Sequence, residues 1–331
     1  MQGKIIGFEE HYKLPAIQRA NRNNPGELVY DVWKKAGRFE TDAQGGWPAG
    51  IYDLGEKRIA AMDAAGIDVQ VLSHNQPGCQ ALAGAAAIDT AREVNDRLYA
   101  ATKAHPDRFA GLAALPTADP PAAVRELDRA ISRLGFKGAM INGRSGDSFL
   151  DEKKFWCIFD CAEGLDVPVY LHPSRPHTAV MQTYFAGYEE LALAPWGFGI
   201  ETGVHFLRLA LAGVFDAFPK LTIILGHLGE GLPFMLHRIN NQTQLATARR
   251  GLKRTLAGYL TENLVVTCSG NFSSPAFLCT MMALGVDNLL FSVDWPYESN
   301  VAAVEFLKDQ PLARHDLEKV AHINAERIFR L

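Results

Sequence analysis

Short apolar runs of β character alternate with stretches of helical period along nearly the whole chain. The β-like runs cover residues 4–8, 69–73, 109–115, 137–142, 167–172, 221–225, 264–268 and 288–292. Between them the spacing predicts helices over 54–65, closed by Gly66, and over 83–105, 119–135 and 151–164. An apolar helix follows Trp196, and a last one over 314–329 packs outside. Eight strands separated by helices predict an α/β chain folded as a (β/α)8 TIM-like barrel, a closed parallel sheet inside a ring of helices. Its 331 residues suit one domain over 1–331, with room beyond the roughly 250 residues of a plain barrel for two irregular insertions. These insertions, at about 12–55 and 174–194, read as a lid or subunit-contact arm and as a pocket-lining loop.

Several apolar runs stop abruptly at chemistry-bearing residues. The first strand runs into Glu9-Glu10-His11, the fifth ends at His172, the sixth leads to His227 and Glu230, and the eighth leads to Asp294. In a parallel barrel all strand C-termini open on one face, so these distant residues converge there. Alternation along an extended strand lets Glu9 and His11 share a side while Glu10 points away. Glu9, His11, His172 and Asp294 thus form a mixed oxygen and nitrogen set suited to one borderline divalent ion, Zn²⁺ or Mn²⁺. The fourth strand ends in Asn142, which cannot bridge two ions, and this favours a single metal. His227 stands beside the ion, with Glu230 near enough to orient its ring or tune its pKa and, compatibly, placed to cap the following helix. His74 and Asn75, just past the second strand, suit either substrate contacts or turn chemistry before Pro77-Gly78. His205 lies inside a helical pattern and reads as structural.

Net charge is −4 with basic residues dispersed, which excludes an electrostatic footprint for nucleic acid or anionic membrane. No stretch approaches the ~20 apolar residues of a membrane span, and the start has too short an apolar run for a signal peptide, so the expectation is a cytoplasmic protein acting on a small molecule. Five cysteines, an odd number set in apolar segments, suit reduced thiols rather than a disulfide framework. Cys157 and Cys161, four apart on a helix, read as core packing.

Glu9-Glu10-His11, Tyr170-Leu171-His172-Pro173, the run 224–233 around His227 and Glu230, the run 267–271, the run 291–296 around Asp294 and the Trp196–His205 stretch together resemble the amidohydrolase superfamily. More narrowly they resemble its nonoxidative aromatic acid decarboxylases, the γ-resorcylate (2,6-dihydroxybenzoate) and 5-carboxyvanillate enzymes. The resemblance implies one Mn²⁺ or Zn²⁺ on Glu9, His11, His172 and Asp294, with His227 and Glu230 as a catalytic pair. It implies that Arg238 helps place substrate, a structural salt bridge being the other role open to it. Phe198 and Tyr297 are candidate walls for an aromatic ring, and Asp294 is the candidate general acid. The implied substrate is an ortho-hydroxy aromatic acid and the implied assembly a homodimer or homotetramer. The alternative is a metal-dependent hydrolase of a lactone, ester or amide, since the same residues serve either reaction; a noncatalytic binding protein is a third possibility.

Overall fold

The structure is a computed structural model that describes residues 3–15, 17, 21 and 47–331. Its strands are β1 (Ile6–Tyr12), β2 (Val69–His74), β3 (Phe109–Gly111), β4 (Ala113–Ala114), β5 (Ala139–Asn142), β6 (Val169–His172), β7 (Ile223–Leu225), β8 (Leu264–Thr267) and β9 (Leu289–Leu290). They form two parallel sheets in strictly sequential order, β1-β2-β3 and β4 through β9. The helices are α1 (Glu56–Ala65), α2 (Gly84–Ala104), α3 (Pro120–Ser132), α4 (Trp156–Gly164), α5 (Thr178–Tyr184), α6 (Gly197–Ala212) and α7 (Val214–Ala217). There follow α8 (Leu232–Arg249), α9 (Leu256–Glu262), α10 (Ser274–Leu284), α11 (Asn300–Lys308), α12 (Arg314–Glu318) and α13 (Asn324–Phe329).

This is the TIM-like arrangement that the strand count predicts, with a difference at the third strand. The run read as one strand is two short ones, because Leu112 N–H donates to Leu72 O (2.9 Å) while Ala113 N–H donates to Gly138 O (2.9 Å). The chain thereby passes from one sheet to the next within two residues. The other seam, between the last strand and the first, is closed by single bonds rather than a ladder: His11 N–H to Trp295 O (2.7 Å) and Asp294 N–H to Glu9 O (3.1 Å).

Two apolar layers follow from the alternation of side chains. Ile6, Phe8, Val71, Met140, Tyr170, Ile224, Val265 and Leu290 pack together in the barrel interior. Their neighbours in sequence, such as Leu72, Leu171, Leu225 and Val266, join the larger core with the surrounding helices. In β1 the alternation is broken on purpose. Gly7 pairs with Gln70 but Glu10 with Leu72, so a bulge inserts one residue between them. Phe8 and Glu9 therefore both serve the interior, and Glu10 falls outside.

Of the insertions, residues 22–46 of the first lie outside the described residues, so the lid reading is not placed there. The second carries α5. All five cysteines are free, but Cys157 is exposed, which corrects its reading as core; α4 turns Ile158, Phe159 and Ala162 inward instead. Among the described residues no helix is long and apolar enough to cross a membrane.

Candidate functional site

Glu9, His11 and His172 meet at the C-terminal mouth of the barrel, fully buried, with one ligand atom from each lying within 4.8 Å of the others. Each is aimed by a bond on its far side. His11 Nδ1 lies 3.3 Å from the Ser73 hydroxyl. His172 Nδ1 donates to the Pro173 carbonyl at 2.7 Å, which leaves Nε2 unprotonated and facing Glu9 Oε1 at 3.3 Å. Burial first, then the charge of His11, hold the His172 imidazole well below its usual pKa, so it is a neutral ligand. Glu9 Oε2 accepts from Tyr170, from Ser269 and, at 3.2 Å, from Thr267. Burial, with Asp294 adding to it, raises the Glu9 pKa against the opposing pull of His227 and His11.

Glu9 Oε1 and His11 Nε2 are buried without any hydrogen-bond partner. Orphaned atoms of this kind are costly unless something else satisfies them, and two nitrogens with a carboxylate oxygen are the donors a borderline divalent cation takes. The residues fit one such ion. Asp294 stands beside the cluster rather than inside it: Oδ1 is 3.1 Å from His11 Nε2 and Oδ2 is 3.7 Å from His227 Nε2. Burial opposes its ionisation, but the two imidazoles outweigh that and hold the carboxyl well below the usual range.

His227 and Glu230 sit on the turn after β7, where residues 227 to 231 all have positive φ, from 52° to 78°. Three of these five are not glycine, so the turn carries strain of the sort found where side-chain aim matters more than backbone comfort. It directs His227 Nδ1 onto Glu230 Oε1 at 2.7 Å and leaves Nε2 3.9 Å from Glu9 Oε1. Burial lowers the His227 pKa, but Glu230 and Glu9 raise it by more, and the imidazole titrates well above its usual value. Glu230 thus orients this ring rather than capping α8.

The site opens into a cavity of about 720 Å³. His227, Glu230 and Asp294 line its polar side; Trp196, Phe198 and Leu232 line its apolar side. Tyr297 lines it too, and its hydroxyl accepts from Asn75 Nδ2. Asn75 therefore positions a wall residue. His74 turns away: its Nε2 accepts from Leu14 N–H (3.3 Å) and its Nδ1 lies 2.7 Å from Asn75 O, so its role is structural. His205 is structural as well, accepting from Leu150 N–H at 2.9 Å. Arg238 is not brought to this pocket; it is exposed on α8, which presents Leu232, Met235 and Ile239 instead.

Sequence reasoning missed the cradle of Glu9. Tyr170, Thr267 and Ser269 are polar residues at in-facing positions of otherwise apolar strand ends, which was the available signal. Gly226 and Gly270 were missed too. A Cβ at Gly226 would meet Glu9 Oε2 at 2.6 Å, and one at Gly270 would meet Asp294 Oδ2 at 3.3 Å.

The amidohydrolase family profile matches residues 31–331. The chain is 38% identical to a γ-resorcylate decarboxylase of Rhizobium radiobacter over 340 aligned positions, covering 100% of this chain and 99% of that one. Among solved structures, the dihydroxybenzoic acid decarboxylase of Polaromonas sp., with bound manganese and the inhibitor 2-nitroresorcinol, superposes with a TM-score of 0.87 at 34% identity, covering 100% and 98%. The 5-carboxyvanillate decarboxylase of Novosphingobium aromaticivorans, complexed with manganese and 4-hydroxy-3-methoxy-5-nitrobenzoic acid, gives 0.91 at 32%, covering 100% and 97%.

Proposed function

Because the chain belongs to the amidohydrolase family, we propose that it is a metal-dependent carboxy-lyase, removing CO₂ without oxidation from an ortho-hydroxy aromatic acid of the dihydroxybenzoate or 5-carboxyvanillate type. The observation that carries this reading is the pair of orphaned atoms, Glu9 Oε1 and His11 Nε2, beside an aromatic-walled cavity whose polar side holds Asp294 and His227.

Glu9, His11 and His172, joined by Asp294, would hold one Mn²⁺ or Zn²⁺, a Lewis acid that stabilises negative charge on the substrate carboxylate and its ortho oxygen. Direct loss of CO₂ would leave an aryl anion, so the ring carbon bearing the carboxylate must be protonated first. Asp294, whose carboxylate lies 3.1 Å from His11 and 3.7 Å from His227, takes the phenolic proton as the substrate binds. It then delivers that proton to the ring carbon. The carbon–carbon bond breaks, its electron pair restores the aromatic ring, CO₂ departs, and a phenolate remains. His227, kept protonated by Glu230, faces Asp294 and resupplies the proton that the phenolate needs. Phe198 and Tyr297 flank the ring.

Self-association as a homodimer or homotetramer belongs to this reading. Its support is the exposed apolar side chains, Trp196 (66%) and Val204 (44%) on the pocket lining and Phe234 (79%) on α8, and sedimentation would read the assembled mass.

The deciding experiment follows CO₂ and phenol release by Mn²⁺- or Zn²⁺-loaded protein across 2-hydroxybenzoates and 5-carboxyvanillate. Asp294→Asn should keep bound metal and lose about a thousandfold in turnover. Silence on the acids, with hydrolysis of lactones or esters, would replace decarboxylation by the hydrolase.

A further inference from the structure

A second, smaller cavity of about 220 Å³ lies on the same face of the barrel, between the exits of β2, β5 and β6, and shares no lining residue with the substrate pocket. Two guanidinium groups line it, Arg144 and Arg175. Arg144 has its counter-charges: its Nε donates to Glu201 of α6, and its guanidinium lies 3.5 Å from Asp147, which also stands 3.4 Å from His177. Arg175 has none among the described residues, and its Nε is buried without a hydrogen-bond partner. Burial, and then the charge of Arg144, push the Arg175 pKa down, the sign of a cation lacking an anion.

The cavity also holds an unpaired acceptor. Asn142 Nδ2 donates to the His74 carbonyl at 3.3 Å, while its Oδ1 is buried and receives no donor. An arginine fork seeking an anionic acceptor and an amide oxygen seeking a donor specify a ligand that is both. A volume of about 220 Å³ is far below that of the substrate pocket and suits a few heavy atoms with a water. Ser174 and Thr178, also on the lining, add hydroxyls.

We propose that this cavity is a site for a small protonated oxyanion, of the hydrogencarbonate or hydrogenphosphate class, held through its charge by Arg175 and through its hydroxyl by Asn142. Guanidinium groups match the planar edge of such anions in a bidentate way. Because Arg144 ties the same cavity to α6 through Glu201, the site neighbours the helix that carries Phe198.

The test is isothermal titration of the metal-loaded protein with phosphate, bicarbonate, sulfate and chloride at constant ionic strength. Saturable binding of phosphate or bicarbonate is expected, with sulfate, which carries no proton to donate at neutral pH, markedly weaker. Arg175→Gln should weaken binding about tenfold or more. Thr178→Asp, an exposed position where a carboxylate would oppose an anion, should do the same without disturbing a buried residue. These variants separate the cavity from any anion captured by the bound metal. Flat titrations would show that water alone fills it, and binding undiminished in both variants, or equal for sulfate, would equally overturn the assignment.

Discussion

Glu9 spends its two oxygens on different tasks: Oε2 is fixed by three hydroxyls so that Oε1 can be left unpaired. That division explains Gly226. A methyl group there would reach within 2.6 Å of Glu9 Oε2 and 2.8 Å of the Tyr170 hydroxyl, and a carboxylate held by three donors cannot swing aside freely. Gly226→Ala is expected to leave a folded protein whose Mn²⁺ affinity falls about 10- to 100-fold, the usual cost of disturbing the groups that hold a ligand, as measured by competitive metal titration. His205 carries a different message. Burial, then the charges of Arg208 and Arg144, depress its pKa to about 3, below the roughly 6.5 of the unfolded chain. The unfolded chain therefore binds a proton that the folded one refuses. The stabilisation is full above about pH 6.5 and drains away as pH falls towards 3. His205→Gln, which keeps an acceptor for Leu150 N–H, should flatten the unfolding free energy of metal-free protein by about 1.4 kcal/mol per pH unit between about pH 6 and 4. Parallel urea-denaturation curves of wild type and variant would refute that.

At the scale of the element, β1 does the decisive work through its bulge. The extra residue between Gly7 and Glu10 turns Glu9 to the metal side directly after Phe8, and sends Glu10 outward to a buried network. There Glu10 accepts from Val293 N–H (3.0 Å) and Trp295 N–H (3.2 Å), so it grips the segment that carries Asp294. Arg58, on α1, donates to His11 O (2.6 Å) and Asp53 O (2.8 Å), and its guanidinium lies 4.1 Å from the Trp295 ring centroid. Burial raises the Glu10 pKa to about 8, against the pull of the Val293 and Trp295 N–H groups and then of Arg58, and burial lowers that of Arg58 to about 9; the Gln70 amide links the two, accepting from Arg58 at 3.2 Å and donating to Glu10 at 3.4 Å. Arg58→Met should cost about 1–3 kcal/mol by leaving the buried His11 carbonyl and Gln70 Oε1 without their donor, and Glu10→Gln a similar amount by loosening the bonds to Val293 and Trp295. A double-variant cycle in urea showing simple additivity would deny the coupling. The sequence displayed the ends of these elements well, because an apolar run that stops at a histidine or acid marks a strand mouth, and Glu9, His11, His172, His227 and Asp294 are all read that way. It did not display the bulge or the break between β3 and β4, since register depends on the neighbouring strand. Arg58 escaped notice because a cation inside an amphipathic helix pattern looks like solvent-facing charge, and Arg238 stands away from this pocket because a motif fixes its helix but not its face.

For the molecule as a whole, the feature to explain is that the weakest seam of the barrel runs through its most charged site. Between β9 and β1 the backbone offers single hydrogen bonds at Glu9, His11, Asp294 and Trp295, where the other neighbours from β4 to β9 share a ladder. The side chains crowded there are two carboxylates and three imidazoles, of which Glu9 and His11 leave buried atoms unpaired. A divalent cation would neutralise the acids and join β1 to β6 and to the segment after β9, acting as a clasp across the seam. Binding to the folded state alone stabilises it by about 2.7 kcal/mol when the free metal is 100 times its Kd, so the melting temperature of chelator-stripped protein should climb steadily with added Mn²⁺. His172→Ala should abolish that dependence while melting close to the stripped wild type, because the stripped protein already lacks what the histidine holds. Amide exchange locates the effect: His11 and Asp294, whose N–H groups close the seam, should gain protection on metal addition, whereas Ile224, inside the β6–β8 ladder, should not. Equal gains at all three would mean that the metal stabilises the barrel globally and that the seam is no weaker than its ladders.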